Sequence, residues 1–148
     1  MANNPLIDQG TLNRVRCSII VASYPNLNIT SGYMSKQSLA RISFDGNFNE
    51  QIPTATGVVN SPEPYAMGSV AVNLLRTTAL AAAWRAQWEN TTIIGSITIY
   101  SDTAAFPAFT LRSSAIQHFD PNAFDGNDPA SALMLRGVYD INTTLWSF

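Results

Sequence analysis

The chain has 148 residues, enough for one domain with a substantial core. Only 12% of the residues are charged, about half of the roughly 25% that is usual in soluble domains. The net charge of −2 excludes the general basic footprint of a nucleic-acid-binding protein, and the single cysteine, Cys17, excludes an intrachain disulfide and a multi-cysteine metal site.

The scarcity of charge predicts that other subunits cover part of the surface, because free monomers keep their surfaces soluble with interspersed charges. The alternative is a surface of Ser, Thr and Asn, which the chain also has in quantity. The polar stretch "MANNPLIDQG" lacks the pattern of a signal peptide, so none is expected. No apolar run approaches the roughly 20 residues that a membrane-spanning helix needs.

The first part of the chain predicts an arm and two strands. Residues 1–11 carry a proline and a glycine without clear periodicity, which indicates an arm. Residues 12–23, "LNRVRCSIIVAS", are apolar enough for a strand. The segment "SLARISFDG" predicts a second strand, whose inward side chains are Leu39, Ile42 and Phe44.

Residues 45–67 form a long segment rich in Gly, Pro, Asn and Thr. Loops of this length without structure of their own are usually functional or interacting. The segment is therefore predicted to be an interaction loop or an extended β-hairpin that reaches off the body. Its apolar residues are Phe48, Ile52, Val58 and Val59.

The stretch "GSVAVNLLRTTALAAAWRAQWEN" predicts a strand that leads directly into a helix. Residues 69–75 alternate as a strand does, whereas Leu80, Trp84 and Trp88 recur every four residues. We expect a helix over about residues 78–90, with Thr77 or Thr78 able to cap its start. Leu80 and Trp84 are expected in the core, and Trp88 is the better candidate for a contact between subunits.

The last part of the chain predicts three more strands. These are "TTIIGSITIYSD", "PAFTLRSSAIQHF" and the start of "ASALMLRGVYDINTTLWSF", whose tail ends in Trp146 and Phe148. Six or seven strands and one helix predict a single, mainly β domain over 1–148. Its expected architecture is an antiparallel β-sandwich or barrel with one flanking helix.

Candidate catalytic residues are few. His118 is the only histidine, with Asp120 two residues away, but Ser113 and Ser114 face opposite sides of a strand and no Gly-x-Ser-x-Gly occurs. His118 is therefore interpreted as a strand-end residue, and we expect no enzyme.

The loop "DPNAFDGNDP" gathers oxygen ligands of the kind that calcium prefers, from Asp120, Asn122, Asp125 and Asp128. Its spacing fails the EF-hand pattern, because no glycine stands at the sixth position and no glutamate closes it. Asp-Gly and Asn-Asp-Pro are also ordinary turn sequences. We interpret the segment as a plain loop and expect neither a metal nor a cofactor.

The order of motifs in the second half resembles the tail tube proteins of contractile-tailed bacteriophages. It runs from "SVAVNLLRTTALAAAWRAQ" through "IGSITIYSD" and "FTLRSSAI" to "DPNAFDGNDPASALMLRGVYDIN". The resemblance spans most of the chain and is strongest over about residues 68–142. It implies a structural virion protein made in the host cytoplasm, whose hexameric rings stack into a hollow tube inside a contractile sheath.

The resemblance also implies the partners. These are copies of the chain itself, the sheath protein, the baseplate and tail terminator proteins, and the tape measure protein and genomic DNA in the lumen without specific binding. The helix would cover the outer side of a sheet whose other face lines the lumen, and segment 45–67 would reach the next ring. The candidate interface residues are Phe48, Ile52, Val58, Val59, Trp88, Trp146 and Phe148.

Two rival interpretations stay open. A tail terminator or baseplate ring protein of the same fold would form a single ring that does not polymerise. A carbohydrate-binding β-sandwich module would stack sugars on exposed aromatic side chains, for which Tyr24, Tyr33 and Tyr65 are the loop candidates.

Overall fold

The computed structural model describes residues 9–35 and 40–147. Its single α-helix within these ranges, α1, is Ala79–Asn90. The strands before the helix are β1 Ser18–Val21, β2 Ile29–Thr30, β3 Ala40–Phe44, β4 Asn49–Pro53, β5 Val58–Pro62 and β6 Tyr65–Leu75. The strands after it are β7 Ile93–Tyr100, β8 Phe109–Asp120 and β9 Ala130–Asp140.

Seven strands form one antiparallel sheet in the order β2-β1-β7-β8-β9-β6-β3, and β4 pairs with β5 as a separate hairpin. The large sheet curls into a half-barrel. The prediction of a mainly β, antiparallel fold with one flanking helix is therefore confirmed. Of the two forms expected from the sequence, the sheet takes the barrel-like one.

Irregularities in β7 and β8 accompany the curl. The pairing of these strands shifts register on both sides of Gly95, which has a φ of 78°, and Ser113 in β8 has a φ of 53°. Bulges of this kind bend a strand and increase its local twist. Gly95 supports such a bend because glycine adopts positive φ without the steric cost of a side chain.

The core lies on one face of the sheet, under α1. In β6 every second side chain is buried, from Ala66 to Leu74, and β9 alternates in the same way. Leu80 and Trp84 of α1 join this core, as the four-residue spacing predicted. The opposite face of the sheet carries the other half of the alternation, and its side chains are partly exposed.

The ends of α1 differ in one respect from the expectation. Thr78 occupies the N-cap position, but its side chain makes no capping bond; Thr78 Oγ1 donates instead to the carbonyl oxygen of Leu75 at 2.9 Å. The hydroxyl thus closes the turn between β6 and α1. The exposed pair of Arg85 and Glu89 forms at 3.0 Å, as the i,i+4 spacing allows.

Two strands begin four or more residues away from the predicted start. The first begins at Ser18 rather than at residue 12, because the chain turns over residues 13–16, where Arg16 N–H donates to the Asn13 carbonyl oxygen at 3.3 Å. Arg16 Nη1 then donates to the carbonyl oxygens of Ser101 and Thr103. The strand predicted over 69–75 starts earlier, at Tyr65, where β9 continues to pair with it. In β3, Ile42 and Phe44 pack against the core, and Leu39 lies outside the described residues.

A close approach of β9 to β8 requires glycine at position 137. A Cβ at Gly137 would overlap Ser114 Oγ and lie 2.9 Å from Leu111 Cβ. We expect Gly137→Ala to lower the free energy of unfolding by about 2 kcal/mol through overpacking, measured by urea denaturation. Gly57→Ala, where a Cβ meets nothing within 4 Å, is the control and should change stability by less than about 0.5 kcal/mol. Equal effects at both positions would contradict the packing argument.

Candidate assembly surfaces

The hairpin of β4 and β5 projects from the body with all but its last residue exposed. Five cross-strand pairs join it, from Asn49–Pro62 to Pro53–Val58. Its tip closes through Thr54 N–H, which donates to the Gly57 carbonyl at 2.7 Å, and through Gly57 N–H, which donates to Thr54 Oγ1 at 3.1 Å. The segment 45–67, predicted to be an interaction loop or an extended β-hairpin, thus contains a hairpin.

The two faces of the hairpin differ in chemistry, because directly paired residues in antiparallel strands point to the same side. One face carries Ile52 and Val59 beside Glu50 and Ser61. Ile52 is 48% exposed and Val59 53%. The other face carries Asn60, which accepts hydrogen bonds from the side-chain amides of Asn49 and Gln51 at 3.2 Å each, and Val58 lies at its tip end.

The base of the hairpin is fixed to the body by Asn142. Its side-chain amide donates to the carbonyl oxygens of Phe48 at 3.1 Å and Glu63 at 2.8 Å. Asn142 has a φ of 48°, a left-handed conformation that asparagine tolerates better than most residues. Phe48 also packs edge-on against Phe44, with ring centroids 6.1 Å apart. The hairpin therefore leaves the body at a defined place.

A groove of about 520 Å³ runs between α1 and the loop 121–129. One wall is the helix, with Ala81, Ala82, Arg85 and Trp88, and the other wall includes Phe119 and Phe124. Phe124 is 80% exposed. The groove is mainly apolar at its floor and has a cationic side chain, Arg85, at its rim.

Arg76 holds the loop wall of this groove in place. Its guanidinium donates to the carbonyl oxygens of Pro121, Ala123, Asp128 and Ala130 and lies 5.2 Å from the ring centre of Phe124. Arginine is suited to this role because its planar fork presents five donors in a fixed arrangement. This role of Arg76 could not be predicted from the sequence, since backbone carbonyl oxygens are common to all residue types and leave no pattern.

The two helix tryptophans differ in environment. Trp84 is fully buried, whereas Trp88 is partly exposed and packs on Phe119 with ring centroids 5.9 Å apart. Neither Trp84 Nε1 nor Trp88 Nε1 has a hydrogen-bond partner among the described residues, although both atoms are buried. A buried donor without a partner calls for an explanation, and Trp88 borders the groove.

The acidic loop uses its carboxylates to fix its own backbone. Asp120 accepts from Asn122 N–H at 3.0 Å, and Asp128 accepts from Ala130 N–H at 3.0 Å. Asp125 accepts from the N–H groups of Asn127 and Asp128, which lowers the pKa of its carboxyl. Among residues 9–35 and 40–147, no group of three or more His, Cys, Asp or Glu side chains is placed to hold a metal ion.

The serines beside His118 point apart, as the strand pattern predicted. Ser113 and His118 are exposed, whereas Ser114 is buried and its Oγ donates to the Leu111 carbonyl at 3.2 Å. Cys17 is partly buried, and desolvation, with a smaller effect of Asp102, raises the pKa of its thiol.

The sheet face opposite α1 is lined by small and polar side chains at its centre. Ser43, Ser69 and Arg136 lie in one row across β3, β6 and β9. Two arginines on this face are paired: Arg112 Nε lies 3.0 Å from both carboxylate oxygens of Asp140, and Arg136 contacts Asp45. Arg41 is exposed on the same face. Most of the positive charge of this face is thus neutralised.

The remaining predicted interface residues lie near the chain ends. Trp146 ends a 3-10 turn that begins at Thr143, and it is 59% exposed. Phe148 lies outside the described residues, as do residues 1–8 of the predicted arm. The structure therefore places Ile52, Val58 and Val59 on the hairpin and Phe48 at its base, whereas Trp88 lies elsewhere, at the groove.

No protein-family model matches the chain, and no curated protein sequence matches it. Among solved structures, the chain is similar to the tube-terminating cap of the anti-feeding prophage, determined by cryo-electron microscopy. The sequences are 11% identical, the match covers 93% of this chain and 97% of the other, and the TM-score is 0.48. Within the described residues, no helix is long and apolar enough to cross a membrane.

Proposed function

We propose that this chain is a structural subunit of a contractile phage-type tail, which assembles with copies of itself into rings that stack as a hollow inner tube. The hairpin of β4 and β5 is the observation that carries the proposal. Asn142 fixes its base to the body, and each strand extends about 17 Å at roughly 3.4 Å per residue. Its apolar side chains are not buried by any other part of the described chain. Such an element needs a partner to bury it.

The edges of the large sheet support assembly around a ring. The outer strands β3 and β2 each pair on one side only among the described strands. Exposed edges are templates for pairing with another chain. In the proposed hexameric ring, the edge of one subunit pairs with the next, which closes the set of half-barrels around a central hole.

The open face of the sheet suits the wall of a DNA channel. Arg112 and Arg136 each have a carboxylate beside them, and this negative charge offsets the attraction for phosphates that lysine and arginine contribute to nucleic-acid affinity. We propose that this face lines the lumen and lets genomic DNA and the tape measure protein pass without specific binding. The sheath, the baseplate and the tail terminator would contact the outer face and the two tube ends, in a virion tail.

A structural role, without catalysis, is part of the same proposal.

The carbohydrate-binding alternative needs aromatic side chains on one platform. Tyr33 precedes Met34, which pairs with Leu74 at one end of β6, whereas Tyr65 begins that strand. Tyr33 and Tyr65 are thus separated by about 30 Å at roughly 3.3 Å per residue, and Tyr24 packs against the core. The three tyrosines therefore do not form one sugar-stacking surface.

Negative-stain electron microscopy of the purified protein at rising concentrations tests the proposal. We expect hollow filaments or stacked rings with a central hole. Closed rings that never stack would contradict the tube and support a tail terminator or baseplate ring protein instead. A monomer at every concentration that binds sugars on a glycan array would instead support the carbohydrate-binding module.

A hairpin variant sharpens this test. We expect Ile52→Asp to abolish stacking while the free energy of unfolding changes by less than about 0.5 kcal/mol, because the side chain is exposed in the free subunit. Gln51→Asp, one residue away on the opposite face of the hairpin, is the matched control and should still stack. Unchanged stacking by Ile52→Asp would argue against the hairpin as the contact between rings.

A further inference from the structure

The hairpin and the groove lie at opposite ends of the same strands. The hairpin leads into the start of β6 and is tied to Asn142, just after the end of β9. The groove lies where β6 ends at Leu75 and β8 ends at Asp120, between α1 and the loop that Arg76 holds. Eleven paired residues of β6 and β9 separate the two ends, a distance of about 33 Å at roughly 3.3 Å per residue.

From this arrangement we infer that the groove between α1 and the loop 121–129 receives the Ile52–Val59 face of the hairpin from a second copy of this chain. The inference rests on the proposed function and names the partner surface of that contact. A projection at one end and a receptor at the other give a head-to-tail contact. Such a contact continues as a filament when its rotation does not close into a ring.

The chemistry of the two surfaces is complementary. The hairpin face presents Ile52 and Val59, each about half exposed, to a groove lined by Ala82, Trp88 and Phe119. Glu50 shares that hairpin face, and Arg85 stands at the groove rim with 71% of its side chain exposed. The existing partner of Arg85 is Glu89 on the same helix, and a solvent-exposed pair of this kind is weak. Arg85 can therefore turn to Glu50 at little cost.

Disulfide trapping tests the contact. In a Cys17→Ser background, we expect the double variant Ile52→Cys, Ala82→Cys to form a ladder of dimers, trimers and longer chains on a non-reducing gel after mild oxidation. An equal mixture of the two single variants should give only dimers of one chain of each type. The control is the double variant Gln51→Cys, Ala82→Cys, whose first cysteine lies on the other hairpin face. Its yield of disulfide-linked chains should be about tenfold lower, because a disulfide needs Cβ atoms within roughly 4.5 Å.

Charge exchange gives a second measurement on the same contact. We expect Arg85→Glu to raise the protein concentration needed for filaments about threefold, which is the scale of an exposed ion pair. The double variant Arg85→Glu, Glu50→Arg should form filaments at the original concentration. Failure of the restoring change, together with no ladder, would overturn the inference.

The outcomes for the groove and for the tube are separable. If electron microscopy shows hollow filaments but no cross-linked ladder forms, the tube proposal is supported and the hairpin must contact a surface other than the groove. A cross-linked ladder without hollow filaments would support the contact between hairpin and groove but contradict the proposed tube. Absence of both would overturn both.

Discussion

Trp84→Ala is expected to lower the free energy of unfolding by about 4 kcal/mol, because deletion of a buried tryptophan leaves a large cavity. Trp84 has no exposed surface and is the largest fully buried side chain among the described residues. It packs from α1 into the core of the curled sheet, beside Leu80. Without it, the helix loses its main anchor to the sheet.

The measurement is urea denaturation followed by circular dichroism, with Trp84→Phe as the matched control. Phenylalanine keeps most of the aromatic volume and removes the buried Nε1, which has no partner among the described residues. We therefore expect the phenylalanine variant to lose less than half of what the alanine variant loses. Equal losses would contradict the cavity as the main cause of the destabilisation.

Arg76→Ala is expected to lower the free energy of unfolding by about 3 kcal/mol. The substitution removes four hydrogen bonds from a charged donor to carbonyl oxygens, and bonds to charged groups contribute more than neutral ones. The loop 121–129 would lose its tie to the end of β6. We expect it to become the first site of cleavage in limited proteolysis.

Two further substitutions separate the shape of Arg76 from its charge. Arg76→Lys keeps the charge but not the fork, so it should recover only a minor part of the loss. Arg85→Ala removes an exposed arginine from the nearby helix α1 and should lower the free energy of unfolding by less than about 0.5 kcal/mol. Full recovery by lysine would show that charge alone, rather than the four directed bonds, holds the loop.

The strands and the helix could be predicted because their evidence is local. The four-residue spacing of Leu80, Trp84 and Trp88 and the alternation in "SVAVNLL" depend only on neighbouring residues. These patterns indicated the helix that the structure shows at Ala79–Asn90 and the mainly β class. The strand bounds were less accurate, since the early start of β6 depends on its pairing with β9, a distant part of the chain.

The candidate surfaces were predicted only in part. The apolar content of segment 45–67 pointed to Phe48, Ile52, Val58 and Val59, but not to which of them share a face. Cross-strand register decided that Ile52 and Val59 lie together with Glu50. Trp88 was a candidate from its position at the end of the helix stripe, yet the groove beside it required the loop 121–129 to fold back.

The class of the fold, the place of the helix and the shortage of charge can be read from the amino-acid sequence, because each follows from residue type and short spacings. The positions of the hairpin and the groove, at opposite ends of β6 and β9, arise only when the chain folds. That placement depends on Asn142 and Arg76, whose partners are backbone carbonyl oxygens far away in sequence. Every residue type carries a carbonyl, so such bonds leave no trace in the sequence and form only when the sheet brings the segments together.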